Sequence, residues 1–134
     1  MTVHFIGIGG VGMCGLANIL LDLGEHVSGS DMEVSFATRR LKARGARIAE
    51  GHAAANIPDE AEAVVYSSAV PEDNPERSAA RVRGIRTVRR GMFLAELAER
   101  FPCVVSVAGS HGKTTTTAML AHILRECGCH PGYL

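Results

Sequence analysis

The chain has 134 residues, about the size of one domain, and its 46% hydrophobic and 21% charged residues mark a globular fold rather than a disordered tail. Fourteen Lys and Arg balance fourteen Asp and Glu, which gives no electrostatic case for nucleic acid or an anionic membrane as partner. With no Trp, two Tyr and four Phe, a base-stacking platform is excluded as well.

The N-terminal Met1-Thr-Val-His-Phe-Ile-Gly7 has no basic region and no long apolar run, so neither a signal peptide nor a bilayer span is expected. Val3 to Ile8 reads as a buried strand running into glycines. A helix from Val11 to Leu23 follows and stops at Gly24; His26 to Ser30 is the next strand, closed by Asp31. Phe36 to Arg44 is helical up to Gly45, and Ala46 to Ala49 is a short strand. Ala63 to Tyr66 is a fourth strand that runs into Ser67-Ser68. After a turn at Pro71–Pro75 come a helix over Glu76–Arg83, a strand over Ile85–Val88 and a helix over Met92–Arg100. Cys103 to Val107 reads as another buried strand, and Lys113 to Cys127 as a long helix. Strands alternating with helices imply an α/β fold, Rossmann-like and doubly wound, with a mostly parallel sheet. The expected boundary lies at Phe101-Pro102, dividing residues 1–101 from the opening strand, loop and helix of a second α/β unit at 102–134.

Four cysteines (Cys14, Cys103, Cys127, Cys129) suggest no disulfide framework, and a reducing cytoplasm fits them. Cys127, Cys129 and His130 near His122 lack a four-ligand metal spacing and read as a helix end. Seven arginines crowd residues 76–100, most of them a solvated face, with one or two able to pair with an anionic ligand.

Two glycine loops each follow a strand and open a helix. Gly7-Ile-Gly9-Gly10-Val11-Gly12 matches G-x-G-x-x-G: Gly7 for the tight turn, Gly9 for approach of backbone N–H groups to a diphosphate, Gly12 for close helix–strand packing. The helix N-terminus adds partial positive charge. Asp31, at the end of the second strand, stands where an acid bonds a ribose hydroxyl, or else is a turn or cap residue. The second loop, Gly109-Ser110-His111-Gly112-Lys113-Thr114-Thr115, is a phosphate loop in which Lys113 neutralises β/γ charge and the Thr114 hydroxyl ligates Mg²⁺. Val107 stands where the first glycine of the standard pattern belongs. A dehydrogenase domain leaves the second loop idle, and a lone phosphate-loop ATPase leaves the first idle. Together they point to an enzyme that consumes ATP and acts on a nucleotide-linked substrate.

Several motifs in order, over essentially the whole chain, resemble the Mur ligases of peptidoglycan synthesis. They are His4-Phe-Ile-Gly-Ile-Gly-Gly-Val-Gly-Met13, Gly29-Ser-Asp31, Gly51-His52, Ser67-Ser-Ala69 with Asp73-Asn-Pro-Glu76, Arg89-Arg90 followed by Met92 and Leu94-Ala-Glu-Leu97, and Ala108-Gly-Ser-His-Gly-Lys-Thr-Thr-Thr-Thr117. The resemblance implies that the first unit binds UDP-N-acetylmuramate rather than NAD, with Gly9, Gly10, Val11, Gly12 and Asp31 on the nucleotide. By the same likeness His52, Ser67 and Ser68 line the substrate side; read alone, they are a loop histidine and a strand-end turn. Arg90 approaches the substrate or is a surface arginine. Lys113 would act in catalysis and, with Gly109, Ser110, His111, Gly112, Thr114 and Thr115, hold ATP, with Thr114 on Mg²⁺. Ser110 stands where the family usually has Thr, and His111 where His or Asn is usual. The implied reaction activates the substrate carboxylate with ATP and adds an amine. The amine is L-alanine by the Gly-Val-Gly-Met-Cys-Gly-Leu run and Arg89-Arg90, or a preformed tripeptide by the Pro131-Gly-Tyr-Leu134 ending. The family's remaining ATPase sheet and amino-acid domain would lie beyond residue 134, so this chain alone is expected to bind UDP-sugar without ligating it. Its oligomeric state is not legible.

Overall fold

The computed structural model describes residues 1–133. Five parallel strands, β1 (Thr2–Ile6), β2 (His26–Asp31), β3 (Arg47–Glu50), β4 (Ala63–Tyr66) and β5 (Arg86–Arg89), form one sheet in the order β3-β2-β1-β4-β5. The helices are α1 (Val11–Asp22), α2 (Phe36–Ala43), α3 (Pro75–Val82), α4 (Arg90–Ala98) and α5 (Lys113–Glu126). The expected α/β architecture with a parallel sheet is present.

Period-two alternation sorts side chains between the faces. Val3, Phe5, Val27 and Val65 join Leu16 and Leu20 of α1, Leu41 of α2, and Phe93 and Leu97 of α4 in the larger core. Ile6 and Val64 face the other way, onto Ala80 of α3 and Ile57. The chain winds outward from β1 through β2 to β3, returns across the α3 face by a 3₁₀ turn at Ala54–Asn56, and restarts at β4 on the other side of β1. The strand order therefore reverses between β1 and β4, and in such sheets the crevice beyond the strands' C-terminal ends at that reversal is where ligands bind.

Local chemistry sets the ends. At α1 the Glu25 amide reaches Leu20 O at 2.9 Å and the Gly24 amide reaches Leu21 O at 3.1 Å, a pattern closed by Gly24 at φ +76°. The same arrangement stops α2 at Gly45 and α3 at Gly84. Ser35 and Thr38 form a capping box on α2, and the Asn74 side chain accepts from the amides of Glu76 and Arg77 at the start of α3.

Three expectations differ from the structure. The first strand ends at Ile6, not Ile8, because Gly7 at φ +76° turns the chain. The helix placed at Met92 begins at Arg90, directly from β5. Residues 103–107 form no strand, and Cys103, Val104 and Val105 are exposed. Their residues favour extended backbone, but no strand among the described residues lies beside them, and a strand without a hydrogen-bonded neighbour is not stable. The strand expected at 103–107 is thus absent, while the loop after it and helix α5 are formed.

Candidate functional site

The glycine-rich loop leaves β1 at the strand-order reversal. Ser30 O holds both its first amides, from Gly7 at 2.8 Å and Ile8 at 3.0 Å, and the Gly10 amide closes a turn onto Gly7 O at 3.2 Å. The Gly9 amide donates to Asp31 Oδ2 at 2.7 Å, so Asp31 braces the loop through its side chain. Asp31 Oδ1 accepts only a 3.3 Å contact from the Glu33 amide, leaving acceptor capacity towards the crevice.

The N-terminus of α1 has no side-chain cap. Met13 and Cys14 donate to Gly10 O, whereas the amides of Val11 and Gly12 find no acceptor among the described residues. Val11 lies almost fully exposed at the tip. Arg90, the first residue of α4, covers Gly12 so closely that a Cβ there would lie 2.5 Å from its Nη1. Arg90 makes no ion pair or hydrogen bond among the described residues. An unpaired guanidinium beside two open amides at a positive helix end has the chemistry to receive an anion.

Ser67 and Ser68 leave β4 on the other side of the crevice; the register pairs Ile6 with Tyr66, so Gly7 and Ser67 exit the sheet side by side. Among the described residues neither serine hydroxyl has a partner, and Ser67 O only closes a turn with the Val70 amide at 3.1 Å. His52 follows Gly51, whose amide donates to Asp31 O at 2.8 Å, and His52 Nδ1 lies 2.9 Å from Ser30 Oγ. Gly9, Gly10, Val11, Gly12, Asp31, His52, Ser67 and Ser68 thus all stand at the C-terminal edge of the sheet.

Beneath them is a polar cluster that motif reading overlooked. Glu76, wholly buried in the first turn of α3, accepts from Ser30 Oγ at 2.7 Å and lies 3.1 Å from His4 Nε2, both at Oε2. Its Oε1 accepts from Asn56 Nδ2 at 2.7 Å and the Ala53 amide at 3.2 Å. His4 is equally buried, with Nδ1 2.9 Å from Ser28 Oγ. Burial pushes the Glu76 carboxyl up, but hydrogen bonds from His4, Ser30 and Asn56 outweigh it and hold the group below the ordinary glutamate range. The available signal was a polar residue, His4, between the apolar Val3 and Phe5 of a buried strand.

The second loop has its own geometry. Gly112 adopts the left-handed conformation, φ +76°, before α5, and Lys113 Nζ turns back to donate to Gly109 O at 2.7 Å. Ser110, His111, Thr114 and Thr115 are exposed, and the Thr114 hydroxyl has no partner among the described residues. Among the described residues no hydrogen bond or ion pair links the two loops, and no group of three His, Cys, Asp or Glu gathers to hold a metal.

Residues 2–102 match the model of the Mur ligase family, catalytic domain. The chain is 53% identical over 133 residues to a UDP-N-acetylmuramate–L-alanine ligase of Cupriavidus metallidurans, covering 99% of this chain and 28% of that protein. It is 55% identical over 129 residues to the protein of the same name in Solibacter usitatus, covering 96% of this chain and 27% of that one. The chain therefore spans little more than a quarter of the length of these relatives. The crystal structure of UDP-N-acetylmuramate-alanine ligase from Thermotoga maritima superposes with a TM-score of 0.90 at 36% identity, over 96% of this chain and 30% of that one. A murein peptide ligase from Psychrobacter arcticus gives 0.87 at 35%, over 96% and 27%.

Proposed function

The chain belongs to the Mur ligase family, and from that premise we propose that residues 1–101 are the UDP-N-acetylmuramate-binding part of an ATP-dependent ligase that adds L-alanine to that substrate. The observation that carries the reading is the open anion receptor at the strand-order reversal: the free amides of Val11 and Gly12 under the unpaired guanidinium of Arg90. A nucleoside diphosphate supplies the anion, with its ribose against the spare acceptor sites of Asp31. Ser67, Ser68 and His52 line the sugar side. L-alanine is preferred to a tripeptide because the relatives at 52–55% identity carry the alanine-ligase name.

Residues 102–134 are the start of the ATP-binding unit in this reading, and the residues fit such a ligand. Lys113 already folds its ammonium over the loop, and the free Thr114 hydroxyl suits Mg²⁺, which takes one or two protein oxygens and completes its shell with phosphates and water. When bound, ATP would supply the γ-phosphoryl group that activates the substrate carboxylate, leaving ADP, and the incoming amine would displace phosphate to form the amide. Lys113 would stabilise charge on that group, a role worth on the order of 3 kcal/mol per donor. Gly109, Ser110, His111, Gly112 and Thr115 shape the loop around it. The setting is cytoplasmic, in keeping with four free thiols; among the described residues no helix is long and apolar enough to cross a membrane.

Calorimetric titration of the chain with UDP-N-acetylmuramate, UDP and NAD tests the proposal. Binding of the two uridine nucleotides without NAD is expected, weakened about tenfold by Arg90→Ala, the loss of one charged hydrogen bond. Tight NAD binding without UDP binding would overturn it.

A further inference from the structure

We propose that Glu76, acting through Ser30, fixes His52 as the neutral Nδ1–H tautomer, so that His52 presents its Nε2 lone pair to the crevice as a hydrogen-bond acceptor. Glu76 and Ser30 are then positioning residues. The ligand group met by His52 is a donor, a sugar hydroxyl or an imide N–H, and not a phosphate oxygen. This last step rests on the UDP-sugar reading above; the tautomer does not.

The direction of each bond follows from counting hydrogens. An ionised carboxylate only accepts, and Glu76 has four contacts within 3.2 Å, two at each oxygen. The backbone amide of Ala53 and the carboxamide of Asn56 can only donate to Oε1. At Oε2 the Ser30 hydroxyl uses its one hydrogen, at 2.7 Å. Ser30 Oγ therefore has only lone pairs left for His52 Nδ1 at 2.9 Å, so Nδ1 must carry the hydrogen. A carboxylate, a hydroxyl and an imidazole in series leave one arrangement at neutral pH, with donation running from His52 to Ser30 to Glu76. By the same count His4 Nε2 donates to Glu76, and in neutral His4 the Ser28 hydroxyl donates to Nδ1.

The remaining atom of the His52 ring is the functional one. The His52 side chain is 20% exposed, and among the described residues Nε2 has no partner and no buried side-chain nitrogen or oxygen is left unpaired. Nε2 is thus the nitrogen that reaches solvent. It does so from a ring anchored to Ser30, the residue whose carbonyl also holds the Gly7 and Ile8 amides. One residue therefore sets both the first glycine-rich loop and the imidazole. A neutral Nε2 lone pair repels a phosphate oxygen and accepts from a hydroxyl or imide, which assigns phosphate to the α1 end and a donor group to His52.

The test is imidazole ¹H–¹⁵N two-bond correlation on the full labelled chain without ligand, near pH 8, well above the ordinary histidine range. The His52 ring is identified by its loss in His52→Gln. The expected spectrum has protonated Nδ1 and bare Nε2, the tautomer less favoured in free histidine. Nε2–H, or an average of both forms, overturns the proposal. In Glu76→Gln the carboxamide can donate to Ser30 and reverse the relay, so His52 should switch to Nε2–H, with UDP-N-acetylmuramate affinity falling about tenfold. Ser30→Ala removes the relay with a smaller change and leaves His52 Nδ1 only Glu76 Oε1 at 3.7 Å, too far for a hydrogen bond, so the ring should be released to a mixture. A folded variant of either kind with pure Nδ1–H overturns the roles given to Glu76 and Ser30. Unmodified chain that shows Nδ1–H yet binds neither UDP nor UDP-N-acetylmuramate overturns the substrate reading and leaves the relay standing. Binding with Nε2–H does the reverse.

Discussion

A Cβ built on Gly9 would lie 2.9 Å from Asp31 Oδ2 and 3.1 Å from Thr38 Cγ2, while the Gly9 amide donates to that same Asp31 oxygen. The motif assigns this glycine to the ligand, yet a side chain there already meets the protein's own Asp31, which must shift to admit it. Gly9→Val should therefore abolish UDP binding by displacing the loop and should also lower stability, by about 1–3 kcal/mol, the usual range for overpacking. A double-mutant cycle of Gly9→Ala with Asp31→Ala, read by urea denaturation, separates the two causes. If Asp31 is the obstacle, Gly9→Ala costs less in the Asp31→Ala background; strict additivity would show that it is not. Glu76 makes a different residue-scale prediction. Its folded pKa is held below the ordinary 4.5, so unfolding takes up a proton as pH falls. The stability this supplies is full above 4.5 and is lost as pH drops from there through the lowered folded value. The stability gap between the natural chain and Glu76→Gln, from urea midpoints, should be widest near neutrality and shrink across that acid window. A gap independent of pH would mean that Glu76 is not ionised in the fold.

At the scale of elements, what the sequence made legible depended on how local the signal was. The helices α1, α2 and α3 end where a glycine at positive φ supplies the stop, and glycine is visible in sequence. The parallel strands are short apolar runs with helices between them, so the sheet follows from alternation. Residues 103–107 carry the same local signal and form nothing, because a strand is completed by its neighbour and not by its own residues. The 3₁₀ turn at Ala54–Asn56 escaped for the opposite reason. Three small or polar residues announce no helix, and the turn is pinned from a distance by Glu76 on Asn56 and on the Ala53 amide. Phe93 illustrates the intermediate case: its place on an apolar helix face is legible, but its edge-on contact with Phe5, with ring centroids 6.1 Å apart, is tertiary.

The whole molecule divides unevenly between its two loops. Both were legible as motifs, because glycine spacing after a strand reports the backbone directly. The cluster around Glu76 was not, since His4 and Glu76 lie 72 residues apart and an acid in a first helical turn reads as a solvated residue favoured by the helix dipole. The first loop is built into the core: four of the five residues of β1 are buried, and the strand is paired on both sides. The second loop opens α5, a 14-residue helix of which only Ala121 is buried, with Met119 and Ile123 exposed. A helix of that length gains little from its own hydrogen bonds in water and depends on packing that α5 lacks. Amides of residues 113–126 should therefore exchange orders of magnitude faster than those of β1 in hydrogen–deuterium exchange. Limited proteolysis should cut between Glu99 and Lys113 and leave a core that still binds UDP, because every residue of the first receptor lies before the cut. Protection of α5 equal to that of β1 would show that the helix is held by contacts comparable to the sheet's own, and loss of UDP binding after cleavage would place part of the nucleotide receptor beyond residue 100.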